Sequence, residues 1–254
     1  MDLQRKVVVV TGGASGIGRA SCFAFEREGA AVVIVDVDRE CGQRVAQRIR
    51  GHGGRAMFIH ADVSSEQEVA DIVKPVVRAF GGIDVLVNGA GVGHSGTVVE
   101  DMPKAWDEVI GVNLRSVYLC SHFLIPELLK RPMAAIVNVG SVQSCAAAPR
   151  SAAYVASKFG LLGLTKAMAV DHGPKVRVNA VLPGSVDTAL FRSGLPVGSK
   201  ASMRAIREAE RKHILGRIAA AEEVAEVIVF LASGRASFIT GAGVLVDGGM
   251  TARV

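Results

Sequence analysis

The stretch Val7-Val-Val-Val-Thr-Gly-Gly-Ala-Ser-Gly-Ile-Gly18 decides the fold of this chain. Four consecutive valines are typical of a buried strand, and a helical pattern begins at about Ile17. The glycines between them let the backbone turn sharply and approach a pyrophosphate, whose charge the free N–H groups and the dipole of the helix stabilise. The stretch therefore predicts a strand–turn–helix unit that binds a dinucleotide.

Beyond this unit, short β-branched runs alternate with longer amphipathic stretches, which is typical of βαβ units and a parallel sheet. The runs are almost continuously apolar, as expected of strands that helices cover on both faces. Since no linker, repeat or low-complexity tract divides the chain, we expect one doubly wound α/β domain over residues 1–254. The predicted strands are 6–11, 31–36, 55–62, 85–89, 135–141, 177–182 and 243–247, and the predicted helices are 17–28, 40–52, 65–80, 104–129, 152–172 and 221–232.

One connection is longer than the others. Residues 189–216 contain Gly194, Pro196 and Gly198 ahead of a basic helix. An insertion of this kind after a late strand is usually functional, so we expect it to form a lid over a substrate, with a floppy surface loop as the alternative.

The second predicted strand ends at Asp36, eighteen residues after Gly18. A carboxylate there can accept hydrogen bonds from both hydroxyls of an adenosine ribose and would repel a 2′-phosphate. Position 37 carries no Arg or Lys that would compensate, although Arg39 keeps the phosphorylated cofactor open as an alternative. The charge argument therefore favours NAD over NADP.

Composition argues against several other classes of protein. The net charge of +5 is dispersed among acidic residues, except between Lys200 and Lys212, so nucleic acid is not an expected partner. No apolar run reaches membrane-spanning length, and the N-terminus lacks a signal-like segment, so we expect a cytoplasmic protein without membrane contact. The cysteines 22, 41, 120 and 145 show neither disulfide nor metal spacing, so no metal site is expected.

A second motif, Tyr154-Val-Ala-Ser-Lys158, lies near the start of a strongly helical stretch. Its i,i+4 spacing places the phenol and the ammonium on one face of the helix. A free tyrosine has a pKa of about 10, which is high for a general base at neutral pH. The ammonium, together with a positively charged nicotinamide ring, would favour the phenolate and lower the pKa of Tyr154.

Taken together, these motifs resemble the short-chain dehydrogenase/reductase family over essentially the whole chain. The resemblance implies a Rossmann-type fold in which seven parallel strands are flanked by helices on both faces. It rests on motifs that occur in the family's order: TGGASGIG, Asp62-Val63, Asn88-Gly-Ala-Gly91, Asn113, Ser141, the Tyr154–Lys158 pair, Pro183-Gly184 and Asp247-Gly-Gly249.

The resemblance also implies the catalytic roles. Tyr154 would be the general acid/base, and Ser141 would hold the oxygen of the carbonyl or alkoxide. Lys158 would bind the nicotinamide ribose and lower the pKa of Tyr154, and Asn113 would anchor a water molecule for proton relay. Hydride would pass between the carbinol carbon and nicotinamide C4, with the protein supplying orientation and proton transfer.

Further family positions imply the cofactor cleft. Asp62 and Val63 would contact adenine, Asn88 would lie at the edge of the cleft, and Val186 and Thr188 would contact the carboxamide. One departure is Gly89, where the family usually has an asparagine that braces the central sheet, so we expect some loss of local rigidity. The full set of expected cofactor contacts is Gly12, Ser15, Gly16, Ile17, Gly18, Asp36, Asp62, Val63, Asn88, Tyr154, Lys158, Pro183, Gly184, Val186 and Thr188.

Three functions remain in competition at this point. The first is an NAD-dependent secondary-alcohol dehydrogenase, whose pocket would include Ser141, Gln143 and His94. The second is a reductase of 3-ketoacyl groups on an acidic carrier protein, which would suit the basic 200–212 segment but more often uses NADPH. The third is a non-catalytic dinucleotide-binding scaffold. The resemblance also implies a homotetramer, whereas the identity of the alcohol is not readable from the sequence.

Overall fold

A computed structural model describes residues 3–252 of the chain. Its centre is a seven-stranded sheet in which each strand pairs in parallel with its neighbours, in the order β3-β2-β1-β4-β5-β6-β7. This arrangement confirms the predicted Rossmann-type fold. The strands are β1 Val7–Thr11, β2 Ala31–Asp36, β3 Arg55–His60, β4 Val85–Asn88, β5 Ala134–Val139, β6 Val176–Pro183 and β7 Gly243–Val246.

Helices cover both faces of the sheet, so the strands need no polar face. The valines of β1 show the consequence, because Val8 and Val10 face one apolar core and Val7 and Val9 face the other. The helices are α1 Gly16–Arg27, α2 Arg39–Gly51, α3 Glu66–Phe80, α4 Pro103–Ile110, α5 Ser116–Leu128, α6 Ala152–His172, α7 Ala189–Ser193, α8 Ser199–Lys212 and α9 Ala221–Ala232. Helices α1, α2 and α9 pack on one face, and α3, α5 and α6 on the other.

The strand order reverses beside β1, between β2 on one side and β4 on the other. Connections from these strands leave in opposite directions and open a crevice at their carboxyl ends, where ligands of such folds bind. The fold thus places the loops after β1, β2, β4, β5 and β6 around one crevice.

The segment predicted as one helix over 104–129 differs in its middle. A turn of π-helix, Gly111–Arg115, separates α4 from α5 and contains Asn113. Such insertions occur frequently at functional sites. The combined run Pro103–Leu128 is long and apolar enough to cross a membrane, but half of its most apolar window is buried inside the protein, as in the core helix of a soluble protein.

A buried polar chain links the central strands to α6. Asn88 Nδ2 donates to Asn138 Oδ1 at 2.8 Å, and Asn138 Nδ2 donates to Thr165 Oγ1 at 2.8 Å. Asn88 therefore braces β4 against β5, which limits the effect of Gly89. A Cβ atom at position 89 would lie 2.7 Å from the Thr11 carbonyl oxygen, so an asparagine there would force the backbone to shift.

A buried arginine ties the end of α9 to β6. The Arg177 guanidinium donates to the carbonyl oxygens of Leu231 at 2.8 Å and Ser233 at 2.9 Å. The last carbonyl groups of a helix have no hydrogen-bond donors within it and lie at the negative end of its dipole. A buried cation there donates hydrogen bonds to these carbonyls and also neutralises the dipole charge.

Candidate active site

A cavity of about 670 Å³ occupies the crevice at the carboxyl ends of the strands. It brings together residues that are far apart in the sequence, including the glycine turn, Asp36, Ser141 and Tyr154. Of the predicted site residues, Asn88 and Asn113 are buried behind the cavity wall and do not line it. The wall does contain Gly12, Ser15, Gly16, Ile17, Gly18, Asp36, Asp62, Val63, His94, Ser141, Gln143, Tyr154, Lys158, Pro183, Gly184, Val186 and Thr188.

The glycine turn after β1 is shaped for close approach of a ligand. Gly12 and Gly16 have φ of +67° and +50°, which side-chain-bearing residues rarely adopt. A Cβ at Gly18 would lie 2.2 Å from the Gly12 carbonyl oxygen, so α1 packs tightly on the turn. Ser15 gives the helix no side-chain cap, and its first turn carries no acidic residue. The N–H groups at this end therefore fit the pyrophosphate of a dinucleotide.

Asp36 is held rigidly at the end of β2. Its Oδ2 accepts from the Ala14 N–H and its Oδ1 from the Asp38 N–H, both at 3.0 Å. Each carboxylate oxygen has further acceptor capacity, so the group can still receive hydroxyl donors from the cavity. Asp62 is likewise fixed, with Oδ1 accepting from the N–H and the hydroxyl of Ser64.

Tyr154 and Ser141 meet at the cavity wall. Burial raises the pKa of Tyr154 above its ordinary value, and a hydrogen bond with the Ser141 side chain opposes this effect only in part. The chain alone therefore keeps the phenol protonated, and the expected lowering of its pKa does not arise from the ammonium of Lys158. Sequence analysis also attributed the lower pKa of Tyr154 to a positively charged nicotinamide ring, and that charge belongs to the cofactor and not to the chain.

Lys158 lies directly behind the phenol. Its Nζ is 5.5 Å from the Tyr154 ring centroid and donates to the Val139 carbonyl oxygen at 2.9 Å. Burial lowers the pKa of Lys158 to about 8. An ammonium this poorly solvated can be stabilised by ribose hydroxyls in the cavity, which would replace its missing water.

Asn113 is fully buried within the π-helical turn. Its side chain accepts from the Val92 N–H at 2.8 Å and donates to the Val92 carbonyl oxygen at 3.0 Å and to Ser157 Oγ at 3.3 Å. It thus fixes the loop after β4 against α6. Gly91 lies between Asn113 and Lys158, since a Cβ there would lie 3.4 Å from Asn113 Oδ1 and 3.9 Å from Lys158 Nζ.

The loop after β6 is anchored by a residue that the sequence analysis did not identify. His213, at the end of α8, is 3% exposed. Its Nδ1 is bonded to the Ala209 carbonyl oxygen at 2.8 Å, and its Nε2 accepts from the Ser185 N–H at 3.1 Å. The predicted lid is thereby tied to the Pro183–Thr188 loop. A histidine in a charged segment carries no local sequence signal of such a contact.

The cysteines and acidic residues offer no alternative chemistry. Within residues 3–252, no group of three or more His, Cys, Asp or Glu side chains could hold a metal ion. Cys22 and Cys120 are buried, which raises the pKa of both thiols, that of Cys120 to about 12. Ser141, Tyr154 and Lys158 supply protic groups to one part of the cavity wall.

Known proteins resemble this chain over almost its whole length. A family model described as enoyl-(acyl carrier protein) reductase matches residues 12–251. Meso-2,3-butanediol dehydrogenase of Serratia marcescens is 42% identical over 99% of this chain and 97% of its own length. The 3-oxoacyl-[acyl-carrier-protein] reductase of Thermotoga maritima is 37% identical over 98% of this chain and 99% of its own.

Among solved structures, ligand-free aldohexose dehydrogenase of Thermoplasma acidophilum matches with a TM-score of 0.92 and 35% identity, covering 100% of this chain and 96% of that one. Sequence motifs, fold and relatives agree. The chain is an oxidoreductase that belongs to the short-chain dehydrogenase/reductase family, whose members use nicotinamide dinucleotide cofactors.

Proposed function

We propose that the protein is an NAD-dependent dehydrogenase of secondary alcohols, or a ketone reductase in the reverse direction. The observation that carries this proposal is the grouping of Ser141, Tyr154 and buried Lys158 on the wall of the cavity that also contains the glycine turn and Asp36. A bare dinucleotide-binding scaffold would not need three protic groups at one point of its cavity.

In the proposed mechanism, bound cofactor supplies hydride acceptance or donation at the nicotinamide. Ser141 donates a hydrogen bond to the substrate oxygen and orients it toward the Tyr154 hydroxyl. Tyr154 takes the hydroxyl proton during oxidation and returns it during reduction. Lys158 would bind ribose hydroxyls, while Asn113 holds the loop after β4. Burial raises the pKa of Tyr154, so the phenol is protonated and can donate during reduction, whereas before oxidation it must first release this proton to solvent.

The preference for NAD follows from Asp36. Its fixed carboxylate suits the two ribose hydroxyls and opposes a 2′-phosphate electrostatically. Ser15 in the glycine turn adds no positive charge. The remaining cofactor contacts would follow the cavity wall, with Asp62 and Val63 at adenine and Val186 and Thr188 at the carboxamide.

A second candidate is reduction of 3-ketoacyl groups on an acidic carrier protein. The basic side chains of α8 favour it: Lys200, Arg204, Arg207 and Arg211 surround an exposed surface cleft of about 400 Å³. The Thermotoga maritima relative carries that name. Asp36 disfavours it because such reductases more often use NADPH. A comparison of kinetics with NAD(H) and NADP(H) separates the two candidates.

The deciding experiment measures NAD reduction across secondary alcohols, polyols, sugars, steroids and hydroxyacyl thioesters at mildly alkaline pH. Tyr154→Phe keeps the ring and removes the proton-transfer group, so we expect turnover to fall by at least about a hundredfold. Tyr118→Phe is the matched control, because Tyr118 is half exposed on α5 and away from the cavity. Near-native turnover of Tyr154→Phe would exclude the mechanism, and NADH binding without turnover of any compound would favour a scaffold.

We further propose a cytoplasmic homotetramer. Large apolar side chains are exposed on three helices, namely Trp106 on α4, Tyr118 on α5 and Phe159 on α6, and Leu245 is 46% exposed on β7 at the edge of the sheet. Contact with further copies would bury them. Light scattering at micromolar concentration should give four times the chain mass of 26.5 kDa, and a monomer would refute this assignment.

A further inference from the structure

Two polar side chains on the cavity wall have no role in the proposed proton transfer. They are Gln143 and His94, which line the cavity together with apolar residues and with Ser141, Ser151 and Lys212. The apolar neighbours on the wall are Val92, Val142, Ala148, Leu190, Phe191 and Met250. Polar groups in such a setting usually fix the orientation of a ligand.

Gln143 lies next to the oxygen site. Its backbone N–H donates to Ser141 Oγ at 3.1 Å, so the two residues share one tight turn after β5. Its Oε1 is buried and has no hydrogen-bond partner among residues 3–252. An unmet acceptor of this kind destabilises the free protein, and a ligand donor that satisfies it gains affinity.

His94 is built into the wall by a carboxylate. Its Nε2 lies 2.8 Å from Asp101 Oδ1, and the Asp101 side chain is only 6% exposed. The second carboxylate oxygen, Oδ2, is buried and has no partner within the described part of the chain. In the neutral imidazole, a carboxylate in this position accepts from Nε2–H, and Nδ1 is then the acceptor.

The backbone around this pair is equally specific. A Cβ at Gly96 would lie 1.6 Å from Asp101 Oδ1, so only glycine lets the carboxylate reach the imidazole. The Gly96 N–H donates to the Arg150 carbonyl oxygen at 2.9 Å, and its own carbonyl accepts from the Ala152 N–H at 3.3 Å. The His94 loop is therefore fixed to the start of α6, the helix that carries Tyr154.

We infer that Gln143 and the Asp101-held His94 form a second polar subsite that receives a hydroxyl beside the reacting carbon. The substrate class is then a vicinal diol or hydroxyketone, and a simple mono-alcohol leaves the subsite unsatisfied. Both acceptors call for a donor, which a substrate hydroxyl supplies. This inference rests on the proposed alcohol dehydrogenase function and narrows its substrate.

The test compares 2,3-butanediol with 2-butanol, which differ by one hydroxyl. With wild-type enzyme we expect kcat/KM to be at least about tenfold higher for the diol, because a site with buried acceptors discriminates against a substrate that lacks the donor. Gln143→Leu and His94→Leu should each lower kcat/KM for the diol by about three- to tenfold more than they lower the value for 2-butanol. Asp101→Asn, which acts through His94, should raise KM for the diol without changing kcat.

The outcomes separate this inference from the function on which it rests. Binding of NADH, followed by fluorescence, confirms that each variant is folded. If wild type oxidises both alcohols equally well, or the variants lower both values alike, the subsite is refuted and the dehydrogenase function stands. If neither butanol compound is oxidised while another alcohol of the panel is, the subsite is refuted and the dehydrogenase function stands. If no alcohol of the panel is oxidised with either cofactor while NADH binds, the proposed function fails, and the subsite with it.

Discussion

Replacement of Asp36 by asparagine tests the basis of cofactor choice. The variant removes the negative charge, and its single amide oxygen can keep one of the two hydrogen bonds that the N–H groups of Ala14 and Asp38 donate to the carboxylate. A 2′-phosphate carries a charge of about −1.5 and would lie about 5 Å from this carboxylate. With an effective dielectric constant of about 40, intermediate between water and a protein surface, the repulsion is about 2.5 kcal/mol. The expected change in the ratio of kcat/KM for NAD to that for NADP is roughly seventyfold.

The assay measures kcat/KM for both cofactors with one alcohol at two salt concentrations. Because the charge is partly exposed, added salt should shrink the discrimination of the wild type and have little effect on the variant. Asp38→Asn is the control, since this neighbouring carboxylate caps α2 through the Cys41 N–H and has no contact with the cavity. A change in the ratio of less than threefold for Asp36→Asn would refute the electrostatic reasoning.

Three further predictions concern stability and positioning. Lys158→Met should abolish activity and raise the free energy of unfolding at pH 7 by on the order of 3 kcal/mol, because burial lowers the pKa of Lys158 from its ordinary 10.5 to about 8. In urea titrations, the free energy of unfolding of the wild type should rise between pH 8 and 10.5. This rise should disappear in the variant. Arg177→Leu should lower the unfolding free energy by about 3 kcal/mol in the same assay, because the last carbonyls of α9 lose a buried cationic donor, and a loss below about 1 kcal/mol would contradict this account. His213→Leu should weaken NADH binding about tenfold without changing the affinity for ADP-ribose, since it frees only the loop after β6; equal weakening of both ligands would show a general loss of structure.

Much of the fold was predictable because it depends on local periodicity. The buried valines of β1, the continuous apolar runs of the other strands and the glycines at helix ends are signals within a few residues of one another. The predicted helices 152–172 and 221–232 agree with α6 and α9 at both ends. The parallel order then follows from the alternation of strands and helices.

Features fixed by distant contacts were not predictable. The π-helical turn interrupts an otherwise ordinary helical pattern because the Asn113 side chain binds the backbone of Val92, twenty-one residues away. Asn88 was expected at the edge of the cleft, but its amide is used inside the sheet by Asn138, fifty residues away.

The same limit applies to the candidate site. The motif placed Tyr154 beside Lys158, whereas the effect of burial on the pKa of Tyr154 depends on the surrounding core. The Asp101 partner of His94 and the His213 anchor join segments by side-chain geometry alone. The sequence therefore predicted which residues form the candidate site. It did not predict their protonation states or their hydrogen-bond partners.

The attachment of His213 also limits how α8 can move. The far end of this helix begins after Gly198, whose φ is +105°, and Val197 beside it is fully exposed. A motion that keeps both His213 hydrogen bonds must pivot α8 about the loop after β6, so that the end of the helix near residue 198 moves most. A substrate would then enter beside the end of α8 near residue 198. Dissociation of the nicotinamide end of the cofactor would require the hydrogen bond between His213 and the loop after β6 to break. We expect this arrangement to give ordered kinetics, in which the alcohol exchanges while the dinucleotide stays bound.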